Sequence, residues 1–476
     1  MRGTIALIAV ILLLAGFVAR TDTDRWTTAE RLTDVVRGWD DRDPTLSVER
    51  GDAGPRVLVT AGTASLDDIA AALESGGYAQ ALVDRGRTWT LAATVVAADG
   101  ATLVVRDTDL RLAGTAGLHA DGGRVMIRRA AVTGWNVEQR MPDTDLRDGR
   151  GWVLASGGGV VTADDARLSH LGHDAEHRWG VTVAGQRSRV RLTSSSLTGN
   201  FDGLHVTDGG FAQVESSRVR DARRHGIADT GGRRLTIDGA NIVGNSAHGV
   251  LAERASHVHI TGNAIHANHG GGVVARATTG IEIVDNNIYR NPSAGVMVLD
   301  GRDVAIRGNL LHSSKVGIAV RGESTAVAIN SNRIASNRTD GVWISERSSD
   351  VAVGGNRMDF NNEAAIAVKT GAARITGNLL TQNFDGVRLE TPAGIAVSGE
   401  VRDNEITGNI QDGVDLPAAA SLPLVGNVIT ANREGGISVV AKGDATPAIA
   451  RNEVRENGRG QERVRETDVA QAGEAR

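Results

Sequence analysis

The feature that most restricts this chain is a repeat. The segments "VHITGNAIHANHGGGVVAR", "IEIVDNNIYRNPSAGVMVL", "VAIRGNLLHSSKVGIAV", "VAINSNRIASNRTDGVWIS" and "ARITGNLLTQNFDGVRL" share one frame. One asparagine column runs Asn263, Asn286, Asn309, Asn332, Asn356, Asn378, Asn404, Asn427, Asn452. A second lies five residues on, from Asn268 to Asn457, and reaches back through Asn245 and Ala222 to Asn200. The step is mostly 22 to 24 residues. Each repeat reads as three short strands: I-x-I, then A-I-x, then G-V-x-V. Asparagine between strands tolerates the left-handed backbone of a tight turn, and stacked amides can hydrogen-bond up a ladder.

The third strand fixes the phase. After each glycine comes an apolar residue, from Leu204, Ile227, Val250 and Val273 to Val414 and Ile437. Two residues on comes another: Val206, Ala252, Ala275, Val298, and so to Val439. With a side-chain period of two, both columns face inward. The expected fold is all-β: a single-stranded right-handed parallel β-helix of about 14 coils, since parallel crossovers are nearly always right-handed. Leucine-rich repeats would need a recurring L-x-x-L-x-L frame, and calcium-binding β-rolls a tandem G-G-x-G-x-D, and neither is present.

The rest of the chain is arranged around the repeat. Residues 1–20 hold Arg2 and then an unbroken apolar run from Ile5 to Ala19. That run is shorter than the ~20 residues a spanning helix needs. It reads as a signal peptide or an uncleaved membrane anchor, so the expected location is extracytoplasmic. Residues 21–55 read as a linker, 56–457 as the β-helix and 458–476 as a charged tail. "SLDDIAAALESGGY" predicts a short helix capped by Ser65 and ended by Gly76-Gly77, closing the N-terminal end of the solenoid. Cysteine is absent, which excludes a disulfide framework and a cysteine-based metal site. A net charge of −5 gives no basic field for nucleic acid. No cofactor is expected, and the chain is expected to be a monomer.

One coil breaks the rule. In "RRHGIADTGGRR" the second inward position is Asp229, and Ala228 points outward. A bulge could turn Asp229 out, or the strand could end at Ala228 with a turn from Asp229 to Gly232. Polar residues stack beside it. The column before the glycine holds Trp179, Asp202, His225 and His248 on successive coils, and the outward column begins with Thr182 and His205. His205, His225, Asp229 and His248 are thus candidate catalytic residues, with Trp179, Asp202, Arg254 and Arg276 as candidate contacts for a sugar chain along one face. The histidines have no zinc-ligand spacing. Trp343 points outward by phase as a possible sugar platform, with Arg321 on the same side. "NRT" at Asn337 matches a glycosylation sequon inside the asparagine column.

"LSHLGHDAEHRWGVTVAG", "LTGNFDGLHV", "ARRHGIADTGGRRLTI" and "NSAHGVLAERASHVHITGN" together resemble consecutive coils of the periplasmic alginate (mannuronan) C5-epimerases. The likeness runs from about Gly151 to Glu323 and more loosely to Gly436. That family carries Tyr-Gly-Ile-Asp-Pro-His-Asp on the coil matching His225 to Gly231, and its aspartate and histidine are the catalytic motif. A following coil carries His-Gly-Ile-Ile-Ile-Ser-Arg-Glu, whose arginine neutralises the substrate carboxylate. Here Gly226, Ile227, His248, Gly249 and Arg254 match. The first aspartate becomes Ala228, the proline Asp229, the histidine Thr230 and the last aspartate Gly231. The resemblance implies a β-helix acting on an acidic polysaccharide as a C5-epimerase or lyase, with the motif itself not retained. The alternative is a non-catalytic carbohydrate-binding or assembly scaffold on the same fold.

Overall fold

The computed structural model describes residues 43–466, except 52–53, 370, 391–396, 417–421 and 442–447. The apolar leader, residues 21–42 of the linker and residues 467–476 of the tail lie outside the described residues. Among the described residues, no helix is long and apolar enough to cross a membrane.

Three parallel sheets wrap one core. A representative coil consists of Ser256–Thr261, Ala264–His266 and Val273–Arg276. Each strand pairs in register with its equivalent on the next coil, as Val258 with Ile281, Ile265 with Ile288, and Val273 with Val296. We call the sheets 1, 2 and 3 in that order. Among the described residues, sheet 1 has 16 strands. The solenoid is right-handed, with about 15 turns. β-Branched residues at the inward positions form a continuous core from Val57 to Ile437, with Leu204, Ile227, Val250, Val206 and Ala252 fully buried as the pattern predicts.

Both asparagine columns are buried, and they work differently from expectation. The backbone N–H and Nδ2 of Asn286 both donate to Asn309 Oδ1, at 2.9 and 3.0 Å, and Nδ2 also donates to Ile260 O at 2.8 Å. The left-handed residue of each turn is the one before the asparagine: Asp285, Gly308, Ser331, Ala267, Arg290 and Phe360 have φ between 53° and 69°. A non-glycine residue there costs ~1–2 kcal/mol. That strain turns the asparagine inward, where several hydrogen bonds of ~1 kcal/mol each offset it. Asn337 belongs to this ladder, its Nδ2 donating to Asn361 Oδ1 at 2.9 Å, so the sequon is structural.

At the N-terminus, helix α1 (Leu66–Ser75) begins at a capping box. Asp68 N–H donates to Ser65 Oγ, and Ser65 N–H to Asp68 Oδ2. Its buried Leu66, Ile69 and Leu73 join the solenoid core. Two segments differ from the sequence reading. Thr45–Gly51, inside the expected linker, is a strand antiparallel to Gly54–Ala61, with Leu46 opposite Val59. The alternation of Leu46 and Val48 was its signal. Beyond Gly458, Glu462–Glu466 adds a further strand beside Ile437–Ala441, because main-chain pairing continues whatever the side-chain charge.

Candidate functional site

The outward face of sheet 3 carries the candidate patch. The parallel pairing of Gly180–Ala184 with Asp202–Thr207 shifts register at Gly180/Val181, where Asp202 and Gly203 face one residue of the preceding coil. Such a bulge re-aims a side chain. Asp202 is fully buried and is the hub of the patch. Its Oδ2 accepts from His205 Nδ1 at 2.7 Å, and Arg224 contacts both carboxylate oxygens, Nε reaching Oδ1 at 3.0 Å. The backbone N–H of His225 donates to Oδ1 at 3.0 Å. Burial pushes the Asp202 carboxyl up, but the hydrogen bonds and charges of His205 and Arg224 outweigh it and hold it at about 2. The carboxylate is therefore ionised near neutral pH and can only accept. His205 must carry its proton on Nδ1.

The other nitrogen of His205 then matters. Nε2 lies 2.8 Å from Thr230 Oγ1, on the next coil. His205 is 2% exposed, and Trp179 stacks on it with ring centroids 4.0 Å apart and planes at 25°. Trp179 in turn meets His177 edge-on, and His177 Nε2 lies 3.0 Å from Asp208 Oδ2. The result is an Asp202–His205–Thr230 hydrogen-bond chain under an indole lid, with the half-buried Thr230 hydroxyl as its outer end.

His225 and His248 are arranged otherwise. Their rings stack at 5.2 Å. His225 Nδ1 accepts from His248 N–H at 3.3 Å, and His248 Nδ1 accepts from Gly271 N–H at 2.9 Å. A neutral imidazole that accepts at Nδ1 carries its proton on Nε2. Burial depresses both pKa values, that of His225 to about 4 with His248 and Arg224 adding to the effect against Asp202. Both rings are neutral donors at Nε2, each with its Nδ1 engaged by a backbone N–H.

Asp229 does not belong to the patch. Its strand, Ile227–Thr230, is regular, with neither the bulge nor the early end the sequence suggested. Asp229 sits between Val206 and Ala252 in the inward column and is fully buried. Oδ1 accepts from Gly232 N–H at 2.6 Å, and Oδ2 has no partner. Burial raises its pKa to about 7, the Gly232 bond opposing this only in part. A carboxyl inside the solenoid cannot touch a ligand outside it.

Arg254 is exposed, follows the strand Val250–Glu253 and has φ 52°. It is one residue out of step with Arg276, which stacks on Glu253. Both guanidinium groups reach Glu253, at 3.5 and 3.9 Å. Three residues of the region escaped the sequence reading. Arg224 and Thr230 carried no column signal. Arg150, fully buried, donates to the carbonyls of Gly172, Leu171, Asp143 and Gly199 at 2.7 to 3.2 Å. It ties together the loops that frame Trp179 and Asp202. Only its spacing from the repeat, which is irregular there, hinted at a special role. Among the described residues, no three His, Asp or Glu side chains are grouped to hold a metal ion.

No curated protein matches the chain. Among solved structures, the periplasmic alginate epimerase AlgG matches at 16% identity over 93% of this chain and 98% of its own, with a TM-score of 0.53. A point mutant of the same epimerase matches at 15% identity over 94% and 99%, again at 0.53. At that identity the likeness concerns the fold alone. The sequence profile described as "Right handed beta helix region" matches residues 153–311, 202–356 and 248–409. These matches overlap into 153–409, more than half of the 476 residues, and the chain belongs to the right-handed β-helix family.

Proposed function

We propose that this is an exported protein acting on an acidic, uronate-containing polysaccharide laid along sheet 3. The proposed chemistry removes the proton on C5, beside the sugar carboxylate, and leads to epimerisation or to eliminative cleavage. One observation carries the reading. The motif histidine of the alginate epimerases falls at Thr230, and here a histidine from the preceding coil reaches that place, His205 Nε2 lying 2.8 Å from Thr230 Oγ1. Asp202 holds Nδ1–H and stabilises the imidazolium that forms. Thr230 takes the substrate proton as its own passes to Nε2, so the proton count balances. The outward Nε2–H groups of His225 and His248, with Arg254, offset the charge that builds on the carboxylate. The exported location rests on the apolar leader, and AlgG is itself a periplasmic protein.

A second reading, a non-catalytic carbohydrate-binding or assembly scaffold, has its own observation. In the column of His225 and His248, Asp340 and Asp412 also accept a backbone N–H from the next coil, Ala364 at 3.1 Å and Gly435 at 2.8 Å. The two histidines thus fill a structural post that aspartates fill elsewhere. The deciding experiment follows C5 exchange in deuterated water by NMR over a panel of uronans. Exchange or chain cleavage by the wild type, reduced at least ~100-fold by His205→Gln or Thr230→Val and largely kept by Thr230→Ser, supports the enzyme. Wild-type protein that exchanges and cleaves nothing leaves the scaffold.

A further inference from the structure

We propose that sheet 3 carries a second subsite for an anionic sugar, built around Trp343, six coils C-terminal to His205. It rests on the reading that an acidic polysaccharide lies along this face. The outward column runs His205, Ala228, Leu251, Val274, Met297, Ala319, Trp343 in unbroken register. At ~4.8 Å per coil the separation is about 29 Å. Between the two places the column is apolar, so polar recognition resumes only at Trp343.

Ala319 and Ala367, the flanking residues of the column, are buried although they point outward. Their small side chains form a floor for the indole. Arg321 and Lys369 lie over its ring, 5.1 and 5.7 Å from the centroid. The indole is therefore not the open stacking platform its phase suggested. Its ring is covered by two cations. Arg321 is anchored through Nε and Nη2 to Glu346 at 3.1 and 2.8 Å, and Lys369 pairs with Glu390 at 3.3 Å. These pairs place the two cations, and each cation has more donors than the pairs use.

Two polar atoms at this place have no partner. Trp343 Nε1 is buried and unbonded. So is the Oγ of Ser345, a residue 4% exposed, two residues on from Trp343 and flanked by the coils of Arg321 and Lys369. Buried polar groups are nearly always satisfied, and such orphans mark an unfilled partner. An indole N–H and a hydroxyl between two cations suit one unit bearing a carboxylate and neighbouring hydroxyls. That describes a uronate, not a neutral sugar. A polymer occupying both places gains by effective concentration, without contacts in between.

The test is affinity against chain length, measured by calorimetry on the full chain with uronan oligomers shorter and longer than the span between the sites. The wild type should bind long oligomers about 10- to 100-fold more tightly than short ones. Trp343→Ala and the milder Ser345→Ala should erase most of that gain and leave short-oligomer affinity at the His205 patch unchanged. Trp343→Phe, which keeps the ring and loses the N–H, should fall between. His205→Gln should do the reverse. If long and short oligomers bind the wild type alike, or folded Trp343→Ala keeps the length gain, the second subsite falls and the His205 reading stands. If no uronan of any length binds, both fall. Equal gain with a neutral glucan would overturn the anionic assignment.

Discussion

Asp229 offers the sharpest physical test. Its carboxyl is inside the solenoid, one oxygen satisfied and the other not. Burial holds its proton to about pH 7, whereas the unfolded chain releases it near 3.8, as a free aspartate does. The sign follows. Because the folded pKa is raised, unfolding releases a proton between these values, and stability falls as pH rises through that window. The loss begins above 3.8 and levels off above about 7. At ~1.36 kcal/mol per unit the full loss is about 4 kcal/mol, of which about 3 kcal/mol falls between about pH 5 and about pH 9. Other groups titrate there too, so the assay is a difference: urea unfolding of wild type and Asp229→Asn in parallel across that range, followed by tryptophan fluorescence. Asparagine cannot ionise, and its Oδ1 can still accept from Gly232. The gap between the two proteins should move in favour of the variant by about 3 kcal/mol as pH rises. Asp229→Val, which restores the apolar column, should show the same trend. A gap that stays constant with pH would mean that the carboxyl is not held protonated, and the inward placement would be refuted with it.

Arg150→Met should destabilise the protein by at least ~3 kcal/mol in the same assay, because four carbonyls lose a common donor; Arg150→Lys should restore little of that, since an ammonium cannot span them. An effect below ~1 kcal/mol would show that the cradle contributes little. His225 should titrate by NMR far below an ordinary imidazole, near pH 4, because burial penalises its charge; a midpoint between about 6 and 7 would contradict its assigned tautomer and burial.

Much of the fold was legible because a solenoid converts sequence spacing into neighbourhood. One glycine and two aliphatics per coil set the phase of sheet 3, and the inward columns are buried as that phase requires. What escaped had no period. Arg150 lies where the loops break the repeat, and Thr45–Gly51 is antiparallel and outside it. The turn residue was misplaced by one position because the asparagine signal belongs to the buried ladder, while the strained backbone belongs to its neighbour, where glycine, aspartate, serine and arginine all occur.

The site was half legible for a related reason. Column phase brought Trp179, Asp202, His205, His225 and His248 together. It could not say which nitrogen of each imidazole the fold consumes. In the column before the glycine, a side-chain acceptor meets the next coil's backbone N–H, so His225 and His248 give up Nδ1 to the ladder. His205 stands three residues on from Asp202, in the outward column, and its Nδ1 goes to a carboxylate instead. The bulge at Gly180/Val181 sets the position of Asp202. Chemical potential on this face therefore depends less on the number of histidines than on whether a backbone amide or a carboxylate claims the inner nitrogen. Only at His205 does a carboxylate take the inner nitrogen, which leaves Nε2 as the acceptor that faces Thr230.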